Sequence, residues 1–409
     1  MKRYYKLIIF VLFAAGCNSK NDPVVQSPVE AKPISLSSNM LVRVNQDNEF
    51  AFDLLKKTMV SSGETNVFVS PLSVSIALGM AWNGAGGTTR KEMETALKMS
   101  GMSVSDINNY YKIMQTSLLT IDPTTKLSIA NSMWYKTGFE VKPGFLNVNT
   151  EYFNARLKEL DFTKAWAADT INNWCSKKTN TLIPTIIDQI PSNAVMYLIN
   201  AVYFKGIWSR QFEKKNTSVQ KFTNEAGNQG NVNMMYQKDT FRYAETETAQ
   251  YLDLPYGNKA FSMTVILPAA NKTPADILNS LTTDTWNNAL SQLNPREIMV
   301  YLPRFKVTNK FNLNDELKKM GMNLAFSDLA DFSNISDLPL QISEVIHKTY
   351  VTVDEEGTEA AAVTSIGIIT TAMPVIPVFR VDKPFVFVIR EKSTGVILFI
   401  GKMGSVDLY

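Results

Sequence analysis

The sequence predicts a mixed α+β fold, because helical and strand patterns follow one another along the chain without regular alternation. The 409 residues are 45% hydrophobic and 19% charged, a balance that allows a large buried core. Helical spacing of apolar residues marks some segments, and short β-branched or aromatic runs mark others. No internal repeat is visible. These observations favour an α+β domain over a doubly wound parallel sheet.

A first helix is predicted at residues 50–59, where apolar side chains recur at helical spacing. Ser70 followed by Pro71 supplies an N-cap and a favoured first helical residue for the run at 73–82. That run is small and apolar on all sides, which predicts a buried helix. Two later helices are predicted at residues 170–180 and 313–321.

Strands are predicted where short apolar or β-branched runs are bounded by turn residues. These runs lie at residues 127–135, 195–204, 251–256, 261–268 and 298–307. Alternation of polar and apolar residues predicts another strand within 341–353, the segment that contains His347. The segment at 384–403 holds two apolar strands joined at 393–395 and is predicted to form a central hairpin.

The N-terminus has the pattern of an export signal. Lys2, Arg3 and Lys6 flank an apolar run at 7–15, which is shorter than the ~20 residues of a membrane-spanning helix. We therefore predict a signal peptide at residues 1–16. The four residues at 14–17, AAGC, resemble the recognition sequence for lipidation of bacterial lipoproteins, although Leu is usual where Ala14 stands. This predicts that Cys17 is lipidated; the alternative is a secreted protein in which the cysteine is incidental.

The segment after Cys17 is predicted to be a tether. Residues 18–38 contain Pro23, Pro28 and Pro33 and few large apolar side chains, which is typical of a flexible linker. The prediction is a lipidated N-terminus and flexible tether at 17–40 and a folded domain at 41–409. Lipidation of Cys17 would leave Cys175 without an intrachain disulfide partner. The protein is expected to be exported and lipid-anchored, at the outer membrane or the cell surface.

Charge and motifs exclude several classes of function. Removing the signal peptide takes away three of the 41 basic residues and none of the 38 acidic ones, and a neutral balance argues against nucleic-acid partners. His347 is the only histidine, so no histidine cluster can bind a metal. No phosphate-binding glycine motif follows a strand, and no GxSxG element is present. A hydrolase built from Cys175 and His347 would rest on residue types alone, so we expect no cofactor, no metal and no enzyme.

The segment at 354–379 is suited to be a loop in one state and a strand in another. Between Thr358 and Phe379 its only charged side chain is Glu359, and no proline precedes Pro374. A period of two places small or β-branched residues on one face, and none of these resists burial in a sheet. This face comprises Thr358, Ala360, Ala362, Thr364, Ile366, Ile368 and Thr370. The alternatives are a surface helix around 360–362 or a permanently buried strand.

Several segments together resemble the serpins, from about Leu41 to the C-terminus. The segments are NVFVSPLSVSIALGMAWNGAGGTTRKEM, LINAVYFKGIW, VYLPRFKV, VIHKTYVTVDEEGTEAAA and DKPFVFVIREKSTGVILFIGKM, in the order of the family. The resemblance implies a fold of about nine helices and three β-sheets with an exposed reactive loop, here at about 355–379. It also implies a protease inhibitor of the suicide-substrate type, whose partners are target proteases and which is expected to be a monomer.

The residues of this loop agree with that mechanism. Cleavage gives an acyl-enzyme, and the freed loop can then add to the main sheet as a strand. About 15 residues at ~3.3 Å each span about 50 Å, enough to carry the bound protease across a globule of this size. No position from Gly357 to Ser365 is proline or an inward-facing charge, which favours inhibition over a non-inhibitory binding or chaperone-like serpin. The hinge implied by the resemblance is Glu355, Glu356, Gly357, Thr358, Glu359, Ala360, Ala361 and Ala362.

Two ways of counting give different reactive bonds. The seventeenth residue counted from Glu355 is Thr371, which places the cut between Thr371 and Ala372. Counting back from the DKPF segment leads instead to Met373, before Pro374, where most proteases cleave poorly. We favour Thr371 and Ala372, with Ile368, Ile369, Thr370 and Met373 as alternative positions. The uncharged bait predicts elastase-like or subtilisin-like targets, with papain-like cysteine proteases as a second class.

The resemblance also implies two groups that control the main sheet. One group, the shutter, comprises Ser70, Ser73, Asn200 and His347; the other, the breach, comprises Trp208, Arg304 and Glu355. Arg304 paired with Glu355 would hold the hinge shut. If His347 bonds to Asn200, protonation near pH ~6.5 would loosen the shutter. The alternatives are a hydrogen-bonded core histidine and an ordinary surface ion pair.

Overall fold

A computed structural model describes residues 31–357 and 376–408. In these residues the chain forms nine α-helices and three β-sheets, which confirms the mixed α+β class and the architecture that the resemblance implied. The helices are α1 (Ser38–Ser62), α2 (Pro71–Trp82), α3 (Gly87–Ala96), α4 (Val104–Thr120), α5 (Pro143–Phe153), α6 (Trp166–Lys178), α7 (Pro274–Ser280), α8 (Thr283–Ser291) and α9 (Asn314–Lys319).

Fourteen strands form the three sheets of the described residues. They are β1 (Asn66–Val69), β2 (Lys126–Lys136), β3 (Arg156–Leu160), β4 (Met196–Lys205), β5 (Ser218–Thr223), β6 (Gln229–Glu245), β7 (Ala249–Pro255), β8 (Phe261–Pro268), β9 (Asn294–Pro303), β10 (Phe305–Asn312), β11 (Ile346–Val353), β12 (Val378–Arg380), β13 (Phe385–Glu391) and β14 (Ile397–Met403).

The largest sheet has nine strands in the order β1-β14-β13-β8-β7-β6-β9-β12, with β5 paired to β6. The other two are a three-stranded sheet, β3-β2-β4, and a two-stranded sheet, β10-β11. Strand β4 therefore ends one sheet and β11 ends the other, and no ladder joins β4 to β11 in the ranges described above. This gap positions the candidate site.

Helix α2 packs between the two sides of this architecture, against β4 on one and β14 on the other. Pro71 starts the helix after the N-cap Ser70, as predicted, and eleven of its twelve residues are buried because it is apolar on all sides. Gly79 allows α2 to pack closely against α4, since a Cβ there would lie 2.9 Å from the Tyr111 ring. The central helix is thus fixed by close packing, since the Ser70 side chain makes no capping hydrogen bond within it.

One predicted strand is wrong. The run at 298–307 is not continuous but divides into β9 and β10, which belong to different sheets. Pro303 lies opposite Met234 of β6, and Arg304 N still donates to Asn233 O at 2.8 Å. The chain changes sheets immediately afterwards, because Phe305 pairs with Val353 of β11. Two apolar strands in direct succession look like one strand when only periodicity is considered.

The N-terminal part of the described chain is already ordered around the domain. Helix α1 begins at Ser38, after the N-cap Ser37, so it includes residues 38–40 and extends well beyond the predicted 50–59. Ala31 N donates to Asn258 O at 3.3 Å, and Ile34 N donates to Ser393 Oγ at 2.9 Å. No helix within residues 31–357 and 376–408 combines the length and apolar character needed to cross a bilayer.

Candidate functional site

The four predicted shutter residues meet where α2 begins, beside β4 and β11. The Ser70 backbone N–H donates to His347 Nε2 at 2.9 Å, while the Ser70 hydroxyl donates to Leu398 O of β14 at 2.8 Å. Ser73 Oγ donates to Asn200 Oδ1. The Ser70 side chain therefore links α2 to the largest sheet and does not cap its own helix.

A second amide extends this network into the three-stranded sheet. Asn200 Nδ2 donates to Asn131 Oδ1 at 2.6 Å, and the two residues are direct partners across β4 and β2. Asn131 Nδ2 donates in turn to Gln115 Oε1 at 2.6 Å. Sequence reasoning did not single out Asn131, although a polar amide in the middle of an apolar strand was a visible signal. Because Asn131 is 4% exposed, its amide has to be paired within the protein.

The Nε2 atom of His347 does not bond to Asn200, the partner expected from the sequence. This nitrogen accepts from the Ser70 backbone N–H, so the neutral ring carries its proton on Nδ1. Burial lowers the pKa of His347 from 6.5 to about 4, because the charged form would lose its hydration. The expected titration near pH 6.5 is therefore displaced toward acid. A proton on Nε2 would also break the bond to Ser70 and place two donors face to face.

A cavity of about 730 Å³ lies between β4 and β11. Its lining includes Ser73, Asn200 and His347, so the shutter side chains form part of its wall. Helix α2 supplies further lining, as do the segments at 186–195 and 339–345. The gap between the two small sheets is therefore continuous with an internal space beside the shutter.

The breach residues meet beyond the C-terminal end of β11. Arg304 donates to Glu355 Oε1 through Nε at 2.9 Å and through Nη2 at 2.6 Å. The Thr217 hydroxyl donates to the same oxygen. Burial alone would raise the pKa of Glu355, but the hydrogen bonds from Arg304 and Thr217 outweigh it and lower the pKa. Glu355 is 1% exposed, so this ionised carboxylate depends on its partners.

The chain on either side of Glu355 is held by backbone and side-chain contacts from residues 208–214. Trp208 N donates to Glu356 O and Phe212 N donates to Glu355 O, both at 2.9 Å. Trp208 Nε1 donates to Asp354 O at 2.9 Å. Lys214 forms an ion pair with the Glu356 carboxylate. Neither Lys214 nor Thr217 was predicted, because more than a hundred residues separate each from the hinge.

Residues 354–357 form a tight turn. Asp354 N donates to Gly357 O at 3.0 Å, and Gly357 N donates to Asp354 O at 3.3 Å. Gly357 then makes an antiparallel bridge with Ile207, which follows β4. Its φ is +135°, and a Cβ at this position would overlap Gly206 O, so any other residue there would need a local shift of the backbone. The chain at Gly357 therefore runs opposite to β4.

Many predicted positions lie outside the described residues. They are Thr358, Glu359, Ala360, Ala361, Ala362, Ile368, Ile369, Thr370, Thr371, Ala372 and Met373 of the loop, and Cys17 with the signal peptide at 1–16. Of the hinge, Glu355, Glu356 and Gly357 are described, and all three contact the segment at 206–217. The described part of the site is thus the sheet gap, the shutter, the breach and the start of the loop.

Comparison with known proteins decides the family. The sequence model described as Serpin (serine protease inhibitor) matches residues 45–406. The chain is a serpin. Human neuroserpin is 32% identical over 372 residues, covering 87% of this chain and 90% of neuroserpin. Family membership agrees with the resemblance found in the sequence.

Two solved structures have the same fold. The native state of the thermophilic serpin tengpin matches with a TM-score of 0.83 and 34% identity, covering 92% of this chain and 98% of tengpin. Human thyroxine-binding globulin in complex with thyroxine matches with a TM-score of 0.81 and 25% identity, covering 90% of this chain and all of that one. Serpins are generally protease inhibitors that act on target proteases and are not catalysts, but thyroxine-binding globulin is a non-inhibitory member.

Proposed function

We propose that this serpin is a suicide-substrate inhibitor whose reactive loop inserts between β4 and β11. The observation that carries the proposal is the turn at 354–357, which brings Gly357 into an antiparallel bridge with Ile207. A chain that continues in this direction runs along β4, beside the gap and its cavity. An added strand there would pair with β4 on one side and with β11 on the other. No ladder joins these two strands in the described residues.

The chemistry assigned to the loop is acyl transfer. The protease nucleophile attacks the carbonyl carbon of Thr371, the Thr371–Ala372 peptide bond breaks, and the amine of Ala372 leaves with a proton. An ester or thioester then joins Thr371 to the protease. Insertion of the freed loop moves this bond away before water hydrolyses it. Ile368, Ile369, Thr370 and Met373 remain alternative reactive positions.

The shutter is proposed to govern how readily β4 and β11 part. Ser73, Asn200 and Asn131 tie α2 to β4 and β2, whereas His347 ties β11 to the first turn of α2. The breach is proposed to hold the start of the loop until cleavage, through the contacts of Arg304, Thr217 and Lys214 with the two hinge carboxylates.

The target classes follow from the bait. Positions 368–373 are Ile, Ile, Thr, Thr, Ala and Met, so they suit apolar specificity pockets and offer no Arg or Lys to a trypsin-like enzyme. We propose elastase-like or subtilisin-like serine proteases as targets, and papain-like cysteine proteases as a second class.

We further propose an exported lipoprotein of the bacterial type. In this arrangement the signal peptide occupies 1–16 and Cys17 carries the lipid. The tether predicted at 17–40 connects it to a monomeric inhibitor domain predicted at 41–409 with its reactive loop at about 355–379, although α1 of that domain already begins at Ser38. An inhibitor of extracellular proteases has its use at the outer membrane or the cell surface. Metabolic labelling with a radioactive fatty acid tests this: wild type should take up label and Cys17→Ser should not.

The second candidate function is that of a non-inhibitory binding protein, as thyroxine-binding globulin is among the similar structures. Incubation with pancreatic elastase or subtilisin, followed by a denaturing gel, separates the two. The inhibitor proposal expects a band at the summed mass of the serpin and the protease, which survives detergent. Complete loop cleavage by both proteases without such a band would favour the binding protein.

A further inference from the structure

A second concave region lies away from the gap between β4 and β11. It has a volume of about 480 Å³ and forms where β6, the hairpin of β7 and β8 and the turn after β13 meet. Four cationic side chains and one carboxylate line it. They are Arg210, Arg242, Lys259, Lys392 and Asp253, and we call this region the basic pocket.

The carboxylate in the basic pocket, that of Asp253, already forms an ion pair with the buried Arg390. Asp253 Oδ1 accepts from Arg390 Nη2 at 2.9 Å and from Thr264 Oγ1 at 2.8 Å. The Asp253 and Arg390 side chains are 1% and 4% exposed, so this pair is part of the core. Burial alone would raise the pKa of Asp253, but Arg390 and then Lys392 outweigh it and lower the pKa. The negative charge of Asp253 is therefore balanced by Arg390, and the four lining cations add further positive charge.

Among the lining cations, Arg242 and Lys392 form no ion pair with another residue that the structure describes. Arg210 pairs with Asp239, whereas Arg242 donates through Nε and Nη2 to the neutral Leu293 O. In the part of the chain that the structure describes, the Lys392 ammonium makes no hydrogen bond or ion pair. Burial lowers the pKa of Lys392; Asp253 opposes this, and Arg390, Arg242 and Lys259 add to the lowering. The pocket thus concentrates positive charge that a bound anion would relieve.

Apart from Ser209 and Thr240, the remaining wall of the basic pocket is apolar. Trp208, Phe241, Leu254, Pro255 and Pro295 contribute to it. Five of the twelve lining residues are charged and five are apolar, so the concavity offers both charge and apolar surface to a small molecule. Charge-assisted hydrogen bonds would fix one end of a ligand, and the apolar wall would cover its body.

We propose that the basic pocket binds a small organic anion, an apolar body that carries one sulfonate, carboxylate or phosphate group. The anionic group lies between Lys392 and Arg242, and the body lies against the apolar wall next to Trp208. None of the reactive-loop residues that the structure describes lines this site, although Trp208, which donates to Asp354 O and Glu356 O in the breach, forms part of its wall.

The test uses two fluorescent probes that differ in charge. 8-Anilinonaphthalene-1-sulfonate carries the sulfonate, and N-phenyl-1-naphthylamine has the same aromatic body without it. Both are titrated into the purified protein, into Lys392→Gln and Arg242→Gln, and into Lys221→Gln. Lys221 is an exposed lysine of β5 outside the pocket, so its variant removes the same charge elsewhere.

We expect Lys392→Gln to raise the Kd of the sulfonate probe about tenfold and Arg242→Gln to raise it in the same direction, because each removes a charged hydrogen-bond donor. The Kd of the neutral probe should change less than twofold in either variant, and Lys221→Gln should leave both values unchanged. The sulfonate probe should also raise the melting temperature of wild type and not that of Lys392→Gln. Equal sulfonate affinity in wild type and Lys392→Gln, or an equal loss for both probes, would overturn the proposal.

Discussion

Glu355 Oε1 accepts two hydrogen bonds from one guanidinium, at 2.9 Å from Arg304 Nε and 2.6 Å from Arg304 Nη2. Arg304 lies between β9 and β10, and Glu355 follows β11, so this pair joins the sheet edge to the start of the predicted reactive loop. The carboxylate is buried and the guanidinium is 27% exposed. Removing the guanidinium would leave the buried Glu355 carboxylate with fewer hydrogen-bond partners. Removing one member of an exposed ion pair leaves the other member in water.

We therefore expect Arg304→Gln to lower the free energy of unfolding by about 2 kcal/mol, the range for a charged hydrogen bond at a partly buried site. Urea denaturation gives the value. The matched control is Lys238→Gln, which removes an exposed ion pair with Glu297 and should change stability by less than about 0.5 kcal/mol. Equal losses in the free energy of unfolding from the two substitutions would show that the ion pair of Arg304 and Glu355 contributes no more to stability than an exposed one.

The ion pair of Lys214 with Glu356 should act mainly on hinge opening. Lys214 is 67% exposed, so its contribution to global stability should be small. Lys214→Glu would place a third carboxylate beside Glu355 and Glu356, and we expect faster hydrogen exchange at the Trp208 and Phe212 amides, which donate to these two residues.

The exchange of the two charges provides the control. In the double variant Lys214→Glu with Glu356→Lys, the pair is restored in reverse, and exchange at both amides should return toward the wild-type rate. Exchange as fast as in Lys214→Glu alone would show that charge pairing does not hold the hinge.

The buried imidazole predicts acid sensitivity. The folded-state pKa of His347 is about 4, below its unfolded value of 6.5, so the unfolded chain takes up the proton first as the pH falls. Stability from this group is fully present above pH 6.5 and is lost as the pH falls from about 6.5 toward 4. The loss by pH 5 should be about 2 kcal/mol.

His347→Gln should flatten this part of the stability curve between pH 8 and 5, as measured by urea denaturation at each pH. The rate of loop insertion in this variant should also lose any dependence on pH that wild type shows over the same interval. A variant curve parallel to that of wild type would assign the acid sensitivity to other groups and would remove the proposed pH control of the shutter.

The loop face predicted from the sequence can be tested with two neighbouring alanines. Ala362 falls on the face expected to point into the sheet, and Ala361 falls on the other. Ala362→Glu would bury a charge when the loop inserts, so insertion should be slower. The ratio of cleaved serpin to covalent complex should therefore rise at least about tenfold. Ala361→Glu should retain the complex. Similar yields from the two variants, quantified on denaturing gels, would contradict the assigned face.

Local features of the sequence predicted much of the fold. Ser70 and Pro71 marked the start of α2, and the apolar run after them marked its burial, because caps and periodicity act over a few residues. The C-terminal hairpin was visible for the same reason. The division at Arg304 was not, since two strands of different sheets follow each other without a turn.

The sequence predicted which residues form the site better than it predicted the hydrogen bonds between them. Ser70, Ser73, Asn200 and His347 do come together, but the partner of the His347 Nε2 atom is a backbone N–H, which has no signature in the sequence. The contact of Lys214 with Glu356 joins residues 142 positions apart. Such pairings depend on how distant elements pack, and only the fold determines them.

The central claim is that the cleaved loop becomes a strand between β4 and β11. Hydrogen–deuterium exchange of the intact and loop-cleaved protein measures this directly, on peptides that cover 196–205 and 346–353. We predict slower exchange in both segments after cleavage, because a new neighbour would accept hydrogen bonds along both edges, and no change in β13 and β14, which are already paired. Unchanged or faster exchange in 196–205 and 346–353 after complete cleavage would contradict insertion at this gap.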